Sequence, residues 1–379
     1  MGLRVLFALL ALLAAPGLLY SAPPSPQPPP ASSSSPQPLS ASSAVLMDAR
    51  TGRVLYALAP SVRRPPASTT KMMTALLVAE SLTPGAVIPI TSRAAVERSG
   101  SAIGLEPGER WSAGDLMRAL LMHSANDAAI ALAEGVAGSV EAFAAQMNAR
   151  AAALGARGTH FVTPHGRYDP RHVSTAYDLA LIARTALAHP WIAEIVRSQT
   201  WPLRRGKGRL LINTNKLLWR YPGADGVKTG WIAESGPTLV ASATRGGWQL
   251  IVVVLNSPQV FTDAAALLNY GFGAFTRVRM GEAGDVVQEL DIRGSRRPLR
   301  AVLADDAVVV VRRGAGVTSR VEMRPLVAPI AAGEEVGTVI YVSDGVEVGR
   351  SRLIAGTDVP ALSRLGRLWQ WLRARLGGS

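Results

Sequence analysis

The 379-residue sequence predicts an α+β chain: an antiparallel sheet flanked by helices with a helical lobe, then a small all-β domain, then a C-terminal amphipathic helix. Three observations carry this reading. Strand-like pairs with tight turns open and close the stretch 43–275, and alanine-rich helical segments lie between them. After about Thr276 the segments become valine-rich and are punctuated by glycine or proline. From 361 to 376 the leucines fall on one helical face. A hydrophobic content of 48% at this length supports a sizeable core.

Taken in order, residues 1–22 read as an export signal. Arg4 precedes an apolar run, 5–19, that is short for a membrane span, and cleavage is expected near Ala22. Residues 23–42 are a Pro/Ser-rich linker with no means of forming a core. Folded sequence is expected from Ser43. Strands over 44–49 and 53–57 are joined by Arg50-Thr51-Gly52, and Pro65-Pro66 then blocks regular structure. A helix follows over 68–81, with Met72, Ala75, Leu76 and Ala79 at helical spacing. Further helices are expected over 113–122, 127–136, 139–154 and 175–188. Strands over 238–244 and 248–255 turn at Arg245-Gly246-Gly247, and a helix over 262–270 closes the stretch. The all-β domain is placed at 276–358, with strands over 308–312, 317–323 and 337–342. In the last segment, 359–379, Leu362, Leu365, Leu368, Trp369, Leu372 and Leu376 oppose Arg364, Arg367 and Arg375. A cationic amphipathic helix with tryptophan suits an anionic membrane surface.

Composition narrows the chemistry. There is no cysteine, which excludes disulfides, thiolate metal sites and cysteine nucleophiles. The histidines at 123, 160, 165, 172 and 189 lack metal-ligand spacing, and no cofactor is expected. A net charge of +13 fits an anionic lipid or an acidic cell-surface polymer. Basic residues do not interleave with aromatics, so nucleic acid is not the expected partner.

Of forty basic residues only Lys71, Lys207, Lys216 and Lys228 are lysine. Arginine stays protonated at any workable pH, whereas a desolvated lysine can act as a base. Two of the four stand in short polar clusters, Ser68-Thr69-Thr70-Lys71 and Lys228-Thr229-Gly230, with Ser124-Ala125-Asn126 between them. On a helix Ser68 and Lys71 share a face one turn apart. A serine hydroxyl needs such a base to become nucleophilic. Burial and a second cation, Lys228, would lower the affinity of Lys71 for its proton. Ser124 can relay the proton, Asn126 can hold a substrate amide, and Lys228 and Thr229 can bind a carboxylate. Gly230 lets a substrate backbone approach a strand closely. Each cluster is weak alone; their order and predicted contexts strengthen the signal. His123 is a rival base beside the central cluster.

These motifs occur in β-lactamases and penicillin-binding proteins. The chain resembles the serine D-alanyl-D-alanine carboxypeptidases, the low-molecular-mass penicillin-binding proteins. The resemblance runs from about Ala44 to the terminal helix and is most distinctive over Asp225-Gly226-Val227-Lys228-Thr229-Gly230. It implies a penicillin-binding fold, with Ser68 the acylated nucleophile, Lys71 its base, and Ser124, Asn126 and Lys228 completing the site. It places Thr229 at the terminal carboxylate and the backbone N–H groups of Ser68 and Trp231 in the oxyanion hole. Substrates would be peptidoglycan stem pentapeptides, with β-lactams as inhibitors, and the enzyme would work at the outer face of the cytoplasmic membrane. Two departures stand out. The stretch Pro258-Gln259-Val260-Phe261-Thr262-Asp263 lacks the arginine by which many members hold the carboxylate. Trp231 is bulkier than usual and is expected to restrict β-lactam side chains. The rival functions are a D,D-endopeptidase, a class A-like β-lactamase, which would need a loop glutamate absent from 159–171, and a non-catalytic wall-binding protein.

Overall fold

The structure, a computed structural model, describes residue 36, residues 38–203 and residues 209–363. The expected export signal, most of the linker and the amphipathic helix beyond 363 lie outside these residues.

β1 (Ser43–Asp48) and β2 (Val54–Leu58) form the expected hairpin. Asp48 closes it, accepting at 2.6 Å from both the backbone N–H and the hydroxyl of Thr51. A single 3-10 turn (Ala67–Thr70) runs directly into α1 (Lys71–Ser81). The helical lobe follows as β3 (Val87–Pro89), α2 (Ser92–Val96), β4 (Arg110–Ser112), α3 (Ala113–Arg118), α4 (Asn126–Ala137) and α5 (Val140–Ala153). α6 (Ala176–Leu187) and α7 (Pro190–Val196) lead back to the sheet. A hairpin of β5 (Thr200–Leu203) and β6 (Arg209–Ile212) and the short α8 (Leu217–Arg220) precede three long strands. These are β7 (Ala224–Ile232), β8 (Gly236–Arg245) and β9 (Trp248–Leu255), and α9 (Val260–Ala274) follows.

The main sheet is antiparallel throughout, in the order β2-β1-β9-β8-β7, so β7 is an edge strand. Alternation sorts its side chains. Val45, Met47, Val227, Val240, Ile251 and Val253 face α1, α6 and the lobe. Ala44, Leu46, Leu239, Ala241, Val252 and Val254 face Leu267 and Leu268 of α9. With both faces covered, β9 reads as an unbroken apolar run, Leu250 to Leu255, all buried. Each such side chain contributes about 1.5–3 kcal/mol by leaving water.

β10 (Phe275–Gly281) carries the chain out of this layer. The all-β part adds β11 (Val286–Leu290), β12 (Leu299–Leu303), β13 (Ala307–Arg312), β14 (Thr318–Met323), β15 (Glu335–Ser343) and β16 (Val346–Ala355). β10 pairs with β13, and the other five form a sheet in the order β11-β12-β16-β15-β14 around a separate core. Arg313 joins the two parts by donating to the carbonyls of Gly273 (2.7 Å) and Phe272 (2.9 Å) at the end of α9, where cations are favoured.

The start of the anchored chain and the end of α9 both differ from the sequence reading. The chain is anchored from Ser40, not Ser43, because the buried Asp263 carboxylate needs donors and takes the Ser40 hydroxyl at 2.8 Å. α9 runs to Ala274, past Tyr270. Gly271, which looks like a breaker, instead lets the helix sit close on the sheet, since a Cβ there would lie 2.6 Å from Leu250 and 2.9 Å from Leu46.

Candidate active site

Ser68 follows Ala67, a buried non-glycine residue in the left-handed region (φ 49°). Such a conformation costs about 1–3 kcal/mol and persists only where the surroundings enforce it. They do so here. Thr69 Oγ1 donates to the Pro66 carbonyl at 2.6 Å. Behind the turn, Thr74 Oγ1 donates to the Pro164 carbonyl at 2.6 Å, stitching α1 to the 159–171 loop. His172 Nδ1 accepts from the N–H of Val162 at 3.0 Å, so its Nε2–H donates to Thr70 Oγ1 at 2.9 Å. Burial lowers the His172 pKa to about 4, keeping the ring neutral.

Lys71 stands one turn from Ser68 and is fully buried. Its Nζ has three partners: Ser68 Oγ at 2.9 Å, Asn126 Oδ1 at 2.7 Å and the His165 carbonyl at 2.9 Å. Two of these can only accept. A tetrahedral amine that gives a hydrogen to each has its remaining direction aimed at Ser68. As ammonium it donates to Oγ along that direction; as free amine it offers its lone pair there. Burial first, and the charge of Lys228 second, push its pKa well below the ordinary 10.5, with Glu97 and Asp127 opposing. The His165 ring lies in the same environment. Burial first, then Lys71 and Arg167, take its pKa to about 3, and its Nδ1 accepts from the N–H of Arg167 at 3.2 Å.

The central cluster rests on a feature the sequence did not signal. α3 was expected to run to Met122. It stops at Arg118, and the following turn (Ala119–His123) widens to a π-turn. The N–H groups of both Ser124 and Ala125 then point to the Ala119 carbonyl. Ser124 takes a left-handed conformation (φ 65°), and α4 begins at Asn126. Widened turns of this kind are frequent at functional sites. Asn126 was expected to hold a substrate amide. Here its Oδ1 receives Lys71 and its Nδ2 donates to the Ser99 carbonyl at 2.7 Å, leaving one amide hydrogen for a ligand. Next to it the buried Asp127 carboxylate accepts the N–H groups of Ile103, Gly104, Leu105 and Ala128 at 2.8–3.2 Å, pinning the segment that carries Ser99, Gly100 and Ser101.

The third cluster lies on edge strand β7. Asn215 Nδ2 donates to the Gly226 carbonyl at 2.7 Å, and Asp225 accepts the hydroxyls of Ser242 (2.6 Å) and Thr244 (2.5 Å), which together hold the start of the strand. Gly230 faces the Ser68 turn: a Cβ there would stand 2.5 Å from Thr238 Oγ1 and 3.0 Å from the Ser68 nitrogen. Lys228 was expected to meet a carboxylate. It is buried behind Thr229, donates to the Thr229 carbonyl at 2.8 Å, and is lowered by burial to about 7.

The resulting cleft, about 450 Å³, is walled by Ser68, Ser124 and Asn126 on one side and Thr229, Gly230 and Trp231 on the other. Lys71 and Lys228 stand behind these walls. Trp231 is 67% exposed at the rim. The sequence reading missed the rest of the lining: Ser99, Gly100, Ser101, His165, Gly166, Arg167, Thr214 and Ile232. The turn Pro164-His165-Gly166 was the available signal, since Gly166 (φ 85°) leaves no room for a side chain against Ala67 and Thr70. His123, the rival base, lines a neighbouring groove instead. Among the described residues no glutamate lines the cleft.

The family model for D-alanyl-D-alanine carboxypeptidase matches residues 30–259, and the model for the penicillin-binding protein 5 C-terminal domain matches residues 275–361. D-alanyl-D-alanine carboxypeptidase DacF of Bacillus subtilis is 32% identical over 333 residues, covering 84% of this chain and 86% of the relative. DacC of Escherichia coli is 33% identical over 86% of each chain. The crystal structure of penicillin-binding protein 5 from Haemophilus influenzae superposes with a TM-score of 0.78 at 30% identity, over 86% of this chain and all of that one. A family model that spans more than half of the chain, and relatives above 30% identity along most of its length, show that the chain belongs to the D-alanyl-D-alanine carboxypeptidase family.

Proposed function

We propose that this serine D-alanyl-D-alanine carboxypeptidase uses Ser68 to remove the terminal D-alanine of peptidoglycan stem pentapeptides. The observation that carries the reading is the Lys71 amine, fully buried, with one tetrahedral direction reserved for Ser68 Oγ at 2.9 Å. In its free form it takes the hydroxyl proton as Oγ attacks the penultimate D-alanine carbonyl. Developing charge on the carbonyl oxygen falls to the N–H groups of Ser68 and Trp231, on facing sides of the cleft. Ser124 passes the proton to the departing amine. Water then hydrolyses the ester and Lys71 recovers its starting state. Asn126 aims Lys71 as well as facing the substrate. Thr229 receives the terminal carboxylate, and Lys228 stands behind it, donating to the Thr229 carbonyl. No cofactor takes part, and β-lactams acylate the same serine.

The reading includes the location. With residues 1–22 as an export signal and the segment beyond 363 as an amphipathic helix on an anionic membrane surface, the enzyme works at the outer face of the cytoplasmic membrane. Among the described residues no single helix is long and apolar enough to cross a membrane.

The test is mass spectrometry after incubation with penicillin, followed by assay of D-alanine released from a pentapeptide. The expected result is one penicilloyl adduct on Ser68, absent in Ser68→Ala, and D-alanine release lost in the same variant. An adduct elsewhere, or release that survives in Ser68→Ala, overturns the assignment.

A further inference from the structure

The turn that joins β1 to β2 faces the all-β part across a groove of about 460 Å³. Arg50 and Arg53 line one bank. Arg350, Ser351 and Arg352 of β16 line the other. The acids here are already engaged. Asp305 pairs with Arg352 at 2.9 Å, and Glu347 holds Arg350 at 2.5 and 2.8 Å. Asp306 accepts from the N–H of Ala283 at 3.2 Å and from Arg279 at 3.4 Å.

Arg50 and Arg53 differ. Among the described residues neither has a carboxylate within ion-pair distance. Each donates to a carbonyl of the all-β part instead, Arg50 to Asp306 at 3.2 Å and Arg53 to Val310. These bonds seat the turn, but a carbonyl carries no net charge. Asp48, at the base of the turn, spends its carboxylate on Thr51 and Trp248. Arg53 is partly buried, and burial first, then the charge of Arg312, disfavour its protonated form, with Asp344 and Asp48 opposing. A guanidinium withdrawn from water beside a second cation is normally compensated by an anion. The turn is also held from behind: Arg184 donates to the carbonyls of Ala49 (2.8 Å) and Arg50 (2.7 Å). The two guanidiniums therefore meet a ligand already in place, which lowers the ordering cost of binding.

We propose that the groove is a binding site for a phosphate group, with Arg50 and Arg53 as its main ligands and Arg350 and Ser351 closing it from β16. Charge and shape select the ligand. A single carboxylate brings one charge and two oxygens, which one guanidinium fork satisfies. A phosphate monoester or a diphosphate carries about two charges near neutral pH and offers three or more oxygens, enough for two forks on one bank and further donors on the other. A soluble phosphate and a lipid phosphate headgroup both present this chemistry. The ligand would touch the catalytic part through Arg50 and the all-β part through Arg350, and nothing in the site depends on Ser68.

The experiment is isothermal titration of the full chain with inorganic pyrophosphate, with the soluble lipid dihexanoyl phosphatidic acid, and with acetate at matched ionic strength. The variants are Arg50→Gln, Arg53→Lys, which keeps the charge but loses the fork, and Arg324→Gln, which removes an arginine outside the groove. Penicillin acylation of Ser68 at the wild-type rate shows that each is folded. One pyrophosphate is expected per chain, about tenfold or more weaker in Arg50→Gln and Arg53→Lys and within about twofold in Arg324→Gln, with no acetate binding. Pyrophosphate should also raise the unfolding midpoint of the wild type and leave that of Arg50→Gln unmoved. Tighter binding of the lipid assigns the site to a headgroup, and tighter binding of pyrophosphate to a soluble phosphate. If neither phosphate compound binds, or acetate binds as well, the phosphate site is overturned. Equal losses in Arg50→Gln and Arg324→Gln reduce it to diffuse surface charge and overturn it too.

Discussion

Lys228→Met isolates the energetic cost of the buried amine behind Thr229. Lys228 is 1% exposed, and burial takes its pKa from the ordinary 10.5 to about 7. Between these values the unfolded chain binds the proton and the folded chain does not. Stability therefore rises with pH across the window, is fully present above 10.5, and is lost as pH falls toward 7. The gap corresponds to about 5 kcal/mol over the window, or about 1.4 kcal/mol per pH unit within it. Methionine matches the lysine stem as far as Cε and removes the charged nitrogen. It also strands the Thr229 carbonyl that Lys228 reaches at 2.8 Å, which subtracts about 1 kcal/mol from the gain. The variant is expected to be more stable by a few kcal/mol at neutral pH, to show a stability–pH slope shallower by about 1.4 kcal/mol per unit, and to acylate poorly, a stability–function trade-off. Urea unfolding followed by tryptophan fluorescence, on both proteins at about pH 7.5, 8.25 and 9, reads the slopes; the difference also carries the change at Lys71, whose pKa the Lys228 charge helps to lower. Parallel slopes would mean that Lys228 keeps an ordinary pKa in the folded protein, and the argument from burial fails.

Lys71→Arg puts a group that does not deprotonate at the position of the base, and penicillin acylation of Ser68 should fall by about 10²–10⁴-fold; stopped-flow acylation at an undiminished rate would remove Lys71 from its role. Asp127→Asn presents a donor to the N–H groups of Ile103, Gly104 and Leu105. It should cost about 1–3 kcal/mol, raise KM through the loosened wall at Ser99, Gly100 and Ser101, and speed hydrogen exchange at 103–105; unchanged exchange there contradicts the anchoring. Trp231→Ala should speed acylation by bulky β-lactams about severalfold relative to small ones, since the indole stands 67% exposed at the cleft rim; an unchanged ratio shows that it does not narrow the entrance.

Much of this molecule is written locally. Period-two alternation and turn glycines mark β1, β2, β8 and β9, and alanine-rich runs mark the lobe helices, because these elements follow from short-range spacing. The three polar clusters were equally visible, since lysine is rare in this chain and two of its four copies stand in them. Other features have no local signature. The π-turn before Ser124 and the left-handed Ala67 are not glycine positions; packing imposes both, so propensity does not reveal them. Asn126 looked like a substrate ligand, and only its approach to Lys71 across 55 residues makes it an aiming group as well. Lys228 read as a second cation beside Lys71 and a carboxylate ligand, and only the folded sheet buries it behind Thr229 and lowers its pKa to about 7. The 165–167 rim and Thr214 come from loops whose place depends on contacts with α1 and β7.

The sequence alone thus determined the chemical inventory and the order of the elements, because residue type and nearest-neighbour spacing suffice for both. The tertiary structure alone decided which amines lose water, which hydroxyl the Lys71 lone pair meets, and that Thr214 stands against Thr229 at the cleft. Desolvation and hydrogen-bond direction are set by segments tens of residues apart, and they exist only once the sheet, α1 and the lobe have closed around the site.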